Sequence, residues 1–333
     1  MTTLAEPKPA TKAIRSLLSI NDLSVEQAHD LIALAAQLKA ETKADPASWS
    51  STLAHRSAVL LFEMPSLRTR VSFEIGIAKL GGHAMYFDHS KNRIGERESV
   101  KDYAKNLERM ADVVIARVFD HDVLAEMASH SSMPIINALS DHEHPCQALA
   151  DMLTLHEHFG SFSGLRLAWV GDGNNVCHSL MLLAAKLGIE LTVVTPKGFE
   201  PQFSVVKQAL TAAESTRSTI TLSHNISAIE GHHAVYTDTW VSMGQGHQAD
   251  IRGGAFTGLQ INEKTMAMAS RGMDAPALFM HCLPAHRGVE VVDAVIDSPQ
   301  SVVYDQAENR MWAQNALLAT IFNHTASHDR TVY

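Results

Sequence analysis

The feature that most limits how this chain can fold is an alternation that occurs twice. Strand-length apolar runs are followed by segments of helical spacing, once in each half. In the first half SAVLLFEM, HAMYFD, DVVIARVF and PIINAL read as strands. RVSFEIGIAKLGG (closed by glycine), SVKDYAKNLERMA and VLAEMASHS read as helices between them. In the second half LRLAWVGD, IELTVVTP, TITLSHN, HAVYTDTW, ALFMHCLP and SVVYDQ read as strands. VCHSLMLLAAKLG and VVKQALTAAEST are helical, and ENRMWAQNALLATIF is a long final helix. Apolar runs without polar alternation suit strands covered on both faces, so parallel sheets flanked by helices are expected. The fold class is therefore α/β, with two doubly wound parallel-sheet domains. HPCQALADMLTLHEHFG is the joining helix, which puts the boundary near residues 145–160. Ser24 and Gln27 form a capping-box pattern ahead of a helix with Leu31, Ile32, Ala35 and Leu38 on one face.

Bulk properties narrow the functional classes. A chain of 333 residues exceeds one ordinary core and points to two domains. No apolar stretch approaches the roughly 18 residues of a membrane span. MTTLAEPKPATKAIRS has no apolar core of its own, so it reads as an arm rather than a secretory signal. Three cysteines are too few for a disulfide framework and fit reduced thiols in a cytoplasm. A net charge of −9 argues against nucleic acid, so an anionic substrate would need a local arginine cluster.

In open α/β sheets ligands bind beyond the carboxyl ends of the strands. The polar groups expected there are Ser66-Leu67-Arg68-Thr69-Arg70, Arg117, His144 and Gln147 in the first half. In the second half they are Asp172 to Asn175, Asp238 to Gly244, and His281-Cys282-Leu283. SLRTRVSFE would start a helix, whose free N–H groups with Arg68 and two hydroxyls make a phosphate cradle. The plainer alternative is Ser66 as N-cap, with exposed arginines on the first turn. GDGNNV lacks the third glycine of a dinucleotide loop, and the following strand ends in VVTP without a ribose-binding acid. Its asparagines either bind a small polar ligand or serve a turn. DTWVSMGQGH is either a ligand loop or a surface turn. Cys282 is either a nucleophile or a small buried side chain. The densest histidine spots, HEH at 142–144 and 156–158, match no metal-ligand spacing. No metal and no cofactor are expected.

Taken in order, FEMPSLRTRVSFE, LGGHAMYF, RIGERES, MADVVIARVF, SDHEHPCQALADMLTL, WVGDGNNV, YTDTWVSMGQ, HCLPAHRG and DQAENRMWAQ resemble the aspartate/ornithine carbamoyltransferase family over about residues 16–322. HPCQ combined with D-x-x-x-S-M-G and HCLP resembles its ornithine branch. The resemblance implies carbamoyl transfer from carbamoyl phosphate to L-ornithine, giving citrulline and phosphate in arginine metabolism. It implies a carbamoyl-phosphate domain over residues 1–150, completed by a C-terminal helix (307–325) packing back on it, and an ornithine domain over 151–306. It also implies homotrimers or multiples of trimers, in which the 89–98 loop reaches a neighbour's site; Arg93 stands where the family often has glutamine or histidine. Carried over residue by residue, Ser66, Leu67, Arg68 and Thr69 hold the phosphate. Arg117, His144, Pro145, Cys146 and Gln147 surround the carbamoyl group, and Arg310 completes the charge clamp. Asn175, Asp238, Ser242 and Met243 grip ornithine, and Cys282 with Leu283 positions its δ-amine. Leu67 replaces the usual threonine, a pattern shared with enzymes acting on N-acylated ornithine. Against that, Asp238 suits a free ammonium. A non-catalytic homologue would be expected to lose the charged groups kept here.

Overall fold

The computed structural model describes residues 13–241 and 254–329, with side chains through Phe322. The long helix α1 (Val25–Ala44) starts at Ser24, whose hydroxyl accepts from Gln27 N–H while the Gln27 side chain accepts from Ser24 N–H. Its buried face carries Leu31, Ile32, Ala35 and Leu38, as the spacing requires. There follow β1 (Ser57–Phe62), α2 (Leu67–Lys79), β2 (His83–Asp88), α3 (Val100–Leu107), β3 (Val113–Arg117), α4 (His121–His130) and β4 (Ile135–Leu139). Helix α5 (Pro145–Phe159) joins the halves. The second half has β5 (Arg166–Val170), α6 (Asn175–Leu187), β6 (Glu190–Val194), α7 (Phe203–Thr216), β7 (Ile220–Ser223), β8 (Ala234–Thr237) and β9 (Leu278–His281). The C-terminal helix runs Val303–Asp329.

Both sheets are parallel throughout, ordered β2-β1-β3-β4 and β7-β6-β5-β8-β9. In each, the chain builds outward to one side and then returns to the other. The reversal falls between β1 and β3 in the first sheet and between β5 and β8 in the second. A crevice opens at such a reversal because the loops beyond the two strands diverge. The segments that leave the crevices begin at Glu63, Val118, Gly171 and Asp238, next to the polar groups singled out from the sequence.

One continuous core links the halves. Leu149 and Leu153 of α5, Leu180 and Leu183 of α6, Trp312 and Leu317 of the C-terminal helix, and Phe73 of α2 all belong to it. A separate cluster with Leu124 and Met127 covers the other face of the first sheet. The expected strand SVVYDQ is the exception. Ser301 makes a single bridge to Phe279, and the helix begins at Val303, four residues before the expected 307. Its apolar pair Val302–Val303 is buried under β9, which gave it the look of a strand, but Gln306, Asn309 and Arg310 then follow with helical spacing on a buried face.

Candidate active site

The first half of the site is the N-terminus of α2. Ser66 is its N-cap (φ −154°, ψ 113°); its hydroxyl accepts the Thr69 N–H at 3.4 Å and lies 3.0 Å from Thr69 Oγ1. The N-cap expected at Ser66 is present, but of the two arginines only Arg70 is exposed; a cap and a cradle use the same geometry. Among the described residues the N–H groups of Leu67 and Arg68 have no partner, leaving two donors at the positive end of the helix. Arg68 is half-buried and Thr69 buried. Arg310, from the C-terminal helix, donates to Thr69 Oγ1 at 3.1 Å and to Gln147 Oε1 at 2.7 Å. Arg117, the last residue of β3, is buried. Arg70 turns away, pairing with Glu74 at 3.1 Å and lying over the Tyr86 ring. Leu67 also turns away, its side chain 76% exposed. Arg93 is exposed, with its guanidinium over Phe119. Pro145 and Cys146 are buried in the first turn of α5, where burial holds the Cys146 thiol up at about 12.

This half concentrates positive charge in a dry setting. Burial, then Arg310 and Arg68, push Arg117 down to about 9, which leaves it charged at neutral pH. Burial also lowers Arg68 and Arg310. His144 is buried beside all three guanidiniums, and burial first, then their charge, holds it well below its usual value. It is therefore a neutral imidazole. Among the described residues His144 Nδ1 and Arg310 Nε have no partner. Buried cations with unused hydrogen-bonding atoms call for an anionic, oxygen-rich ligand.

The second half is organised by the Asp238 carboxylate, which follows β8. Oδ1 accepts from the Cys282 thiol at 2.9 Å and from Thr239 N–H at 2.8 Å. Oδ2 accepts from Asn174 Nδ2 at 2.8 Å. Part of Cys282 is accessible, but its thiol sits in the interior, and burial followed by the Asp238 charge holds it protonated far above neutral pH. A thiolate nucleophile is excluded at neutral pH. Asn175 spans the two halves, donating to the Ser140 carbonyl at 2.6 Å. Gly173 serves a close approach, since a Cβ there would lie 2.2 Å from Pro201 N. That accounts for the glycine without a dinucleotide. Asp238, His281 and Cys282 have ligand atoms within 4.8 Å of one another. However, His281 Nδ1 receives the Leu283 N–H at 2.8 Å and Nε2 faces Glu290 at 3.3 Å, so both ring nitrogens are engaged. Ser242 and Met243 lie outside the described residues.

The structure thus brings Ser66, Arg68, Thr69, Arg117, His144, Gln147 and Arg310 to one crevice, and Asn175, Asp238 and Cys282 to the other. Arg68 links them, since both Asp238 and Cys282 act on its charge. Sequence reasoning missed Asp151 and Gln306, which lie behind both halves. The available signal was an acid four residues after Gln147 in an otherwise apolar helix turn.

Comparison with known proteins gives two family matches. Residues 15–157 match the aspartate/ornithine carbamoyltransferase carbamoyl-P binding domain, and residues 163–321 match the Asp/Orn binding domain of the same family. The ornithine carbamoyltransferase of Shewanella oneidensis is 50% identical over 311 residues, covering 93% of this chain and 100% of that one. Among solved structures, the ornithine carbamoyltransferase from Pyrococcus furiosus superposes with a TM-score of 0.88 at 42% identity, covering 93% of this chain and 98% of that one. The anabolic enzyme from Campylobacter jejuni gives 0.85 at 32% identity, with 93% and 99% covered.

Proposed function

This chain belongs to the aspartate/ornithine carbamoyltransferase family, and we propose that the crevices described above transfer the carbamoyl group of carbamoyl phosphate to the δ-amine of L-ornithine, as in arginine biosynthesis. The observation that carries this reading is the pairing of two buried guanidiniums, Arg117 and Arg310, and the half-buried Arg68 at one sheet reversal with a buried carboxylate at the other. An anion and an amino acid are thereby held side by side. Residues 1–150 with the C-terminal helix would form the phosphate domain, and 151–306 the ornithine domain.

The δ-nitrogen lone pair attacks the carbamoyl carbon as the carbon–oxygen bond to phosphate breaks, and the amine proton leaves on the phosphate. Ser66, Thr69, Arg68, Arg310 and the first α2 N–H groups take the phosphate oxygens. Arg117 and His144 face the carbamoyl oxygen, where negative charge develops, and Gln147 takes the amide. Fixed cations in a water-poor site stabilise that charge without reorganisation. Juxtaposing the substrates supplies the entropic part of the rate. Asp238 and Asn175 hold ornithine's α-groups, with Ser242 and Met243, and the neutral Cys282 thiol and the Leu283 carbonyl orient the amine. No covalent intermediate is required.

A homotrimer fits a row of exposed apolar side chains: Leu67, Val71 and Ile75 on α2, beside Met85 and Phe87 of the edge strand β2. Such a surface is normally covered, and the 89–98 loop, with Arg93, leaves from its border. Static light scattering of the full chain reads this assembly. Among the described residues no helix is long and apolar enough to cross a membrane, and reduced thiols fit a cytoplasmic setting.

The reading is tested by product formation from carbamoyl phosphate with L-ornithine and N-acetyl-L-ornithine offered side by side. Turnover of L-ornithine alone is expected, because an acylated nitrogen would leave the Asp238 carboxylate unpaired in a dry pocket. Turnover of the acetylated amine alone would remove the ornithine assignment.

A further inference from the structure

We propose that Asp151 is a positioning residue that joins the two half-sites by fixing the side-chain amides of Gln147 and Gln306. The proposal rests on the carbamoyl-transfer reading above and names a residue outside the substrate contacts.

Asp151 lies on α5, fully buried. Its Oδ1 accepts from Gln147 Nε2 at 2.8 Å and from Gln306 Nε2 at 2.8 Å. A glutamine amide has a donating and an accepting end of nearly equal shape, so packing alone does not choose between them. An ionised carboxylate only accepts, so it draws both NH₂ groups to itself and turns both carbonyl oxygens outward. Gln147 Oε1 is then presented to Arg310 Nη1 at 2.7 Å, and Gln306 Oε1 to the His281 N–H at 2.9 Å. Were Gln147 reversed, its NH₂ would face the Arg310 guanidinium, donor against donor. Were Gln306 reversed, the His281 N–H would lose its acceptor, directly before Cys282.

The consequence is one unbroken path, Ser66–Thr69–Arg310–Gln147–Asp151–Gln306–His281, from the phosphate cradle to the strand end that carries Cys282. Four elements meet in it, and Asp151 is the group that joins its two glutamines. The charged and titratable groups facing Asp151 are Arg310 on the C-terminal helix, Tyr236 on β8 and Cys282 after β9. Burial outweighs the bonds from Gln306 and Gln147 and the nearby Tyr236 hydroxyl, and raises the Asp151 carboxyl to about 6. Among the described residues Oδ2 has no partner, so it takes the proton; Oδ1 then loses its charge and becomes a weaker acceptor that holds the two amides less firmly. Activity at saturation with both substrates should therefore fall as pH drops through about 6, on top of any effect from the amine.

Two variants test this. Asp151→Leu removes the acceptor with a side chain of similar branching. It is expected to lower kcat/KM at least tenfold for carbamoyl phosphate and for ornithine together. Asp151→Asn keeps an acceptor but cannot titrate. It is expected to lose fewer-fold activity at pH 8, to melt no lower than the wild type, and to lack the step near pH 6 in kcat. A merely structural role would lower the melting temperature and leave both KM values alone. Values of kcat/KM within twofold of wild type for both substrates in Asp151→Leu, or an unchanged pH step in Asp151→Asn, overturn the proposal. Calorimetric titration of carbamoyl phosphate into wild type and Asp151→Leu reads the phosphate half without turnover, with at least tenfold weaker binding expected and equal binding overturning the proposal. Wild-type turnover of L-ornithine, measured beside it, tests the reaction itself, so the two failures remain distinguishable.

Discussion

The two crevices hold polar ligands by opposite means. The first carries surplus positive charge, buried and with hydrogen-bonding atoms left unused. The second carries a carboxylate whose two oxygens already accept from Cys282, Thr239 and Asn174. An anion entering the first gains contacts from the unused atoms and exchanges little beyond the bond between the Ser66 and Thr69 hydroxyls. An ammonium entering the second must exchange some of Asp238's present bonds for its own. Preorganisation therefore favours the phosphate side, and the larger losses on mutation should lie there.

The largest expected effect is Arg68→Leu, which removes a guanidinium from the cluster and should lower kcat/KM for carbamoyl phosphate by about 10³-fold, or about 4 kcal/mol. Arg68→Lys should recover little, since a point charge does not reproduce the planar fork. Asp238→Asn should cost about 10²-fold, or about 3 kcal/mol, in kcat/KM for ornithine. It should leave binding of carbamoyl phosphate within twofold. Steady-state kinetics with each substrate varied in turn decides the matter. If both variants raised both KM values alike, the division of labour between the crevices would be wrong.

A smaller effect is expected at Cys282. Cys282→Ala removes one donor from Asp238 and should cost about tenfold in turnover of ornithine, close to one neutral hydrogen bond. Because burial and Asp238 raise the thiol, thiolate is scarce through neutral pH and grows only as pH rises well above it. Iodoacetamide at pH 7 should then label Cys282 slowly. Rapid labelling at that pH, with matching loss of activity, would contradict the protonated thiol.

How much of this could be read from the sequence follows from the range of the interactions. Strands such as SAVLLF and helices such as Asn175–Leu187 are specified by local period and composition, and the structure shows them where expected. The same holds for Ser66 at the N-cap, because capping is set within one turn. Position at a strand's carboxyl end was enough to single out Arg68, Arg117, His144, Asp238 and Cys282. Misreadings arose where long-range packing overrode local pattern. SVVYDQ looks like a strand because Val302 and Val303 are buried, but what they pack beneath is visible only in three dimensions. Asp151 and Gln306 stand 155 residues apart and meet only through the packing of α5 against the C-terminal helix. Asn174 and Asn175 show the finest limit. Adjacent and identical, one holds Asp238 and the other reaches Ser140 in the first half.

Leu67 sharpens the comparison from the other side, because it sits in the phosphate crevice's own sequence without facing the crevice. Where the family usually has threonine, Leu67 carries no hydroxyl. In the fold it is the first residue of α2, in line with Val71 and Ile75 at helical spacing and exposed with them. What it offers a phosphate is its backbone N–H, which any residue but proline supplies. Leu67→Thr should therefore change the KM for carbamoyl phosphate by less than about twofold, below about 0.5 kcal/mol. Its effect should fall on the apolar row instead, loosening the association between chains at low protein concentration, as light scattering would show. A fivefold change in KM with the assembly intact would mean that the side chain does reach a phosphate, in its own chain or a neighbour's. The crevice would then be built from more than the Ser66, Arg68 and Thr69 side chains that α2 turns toward it here.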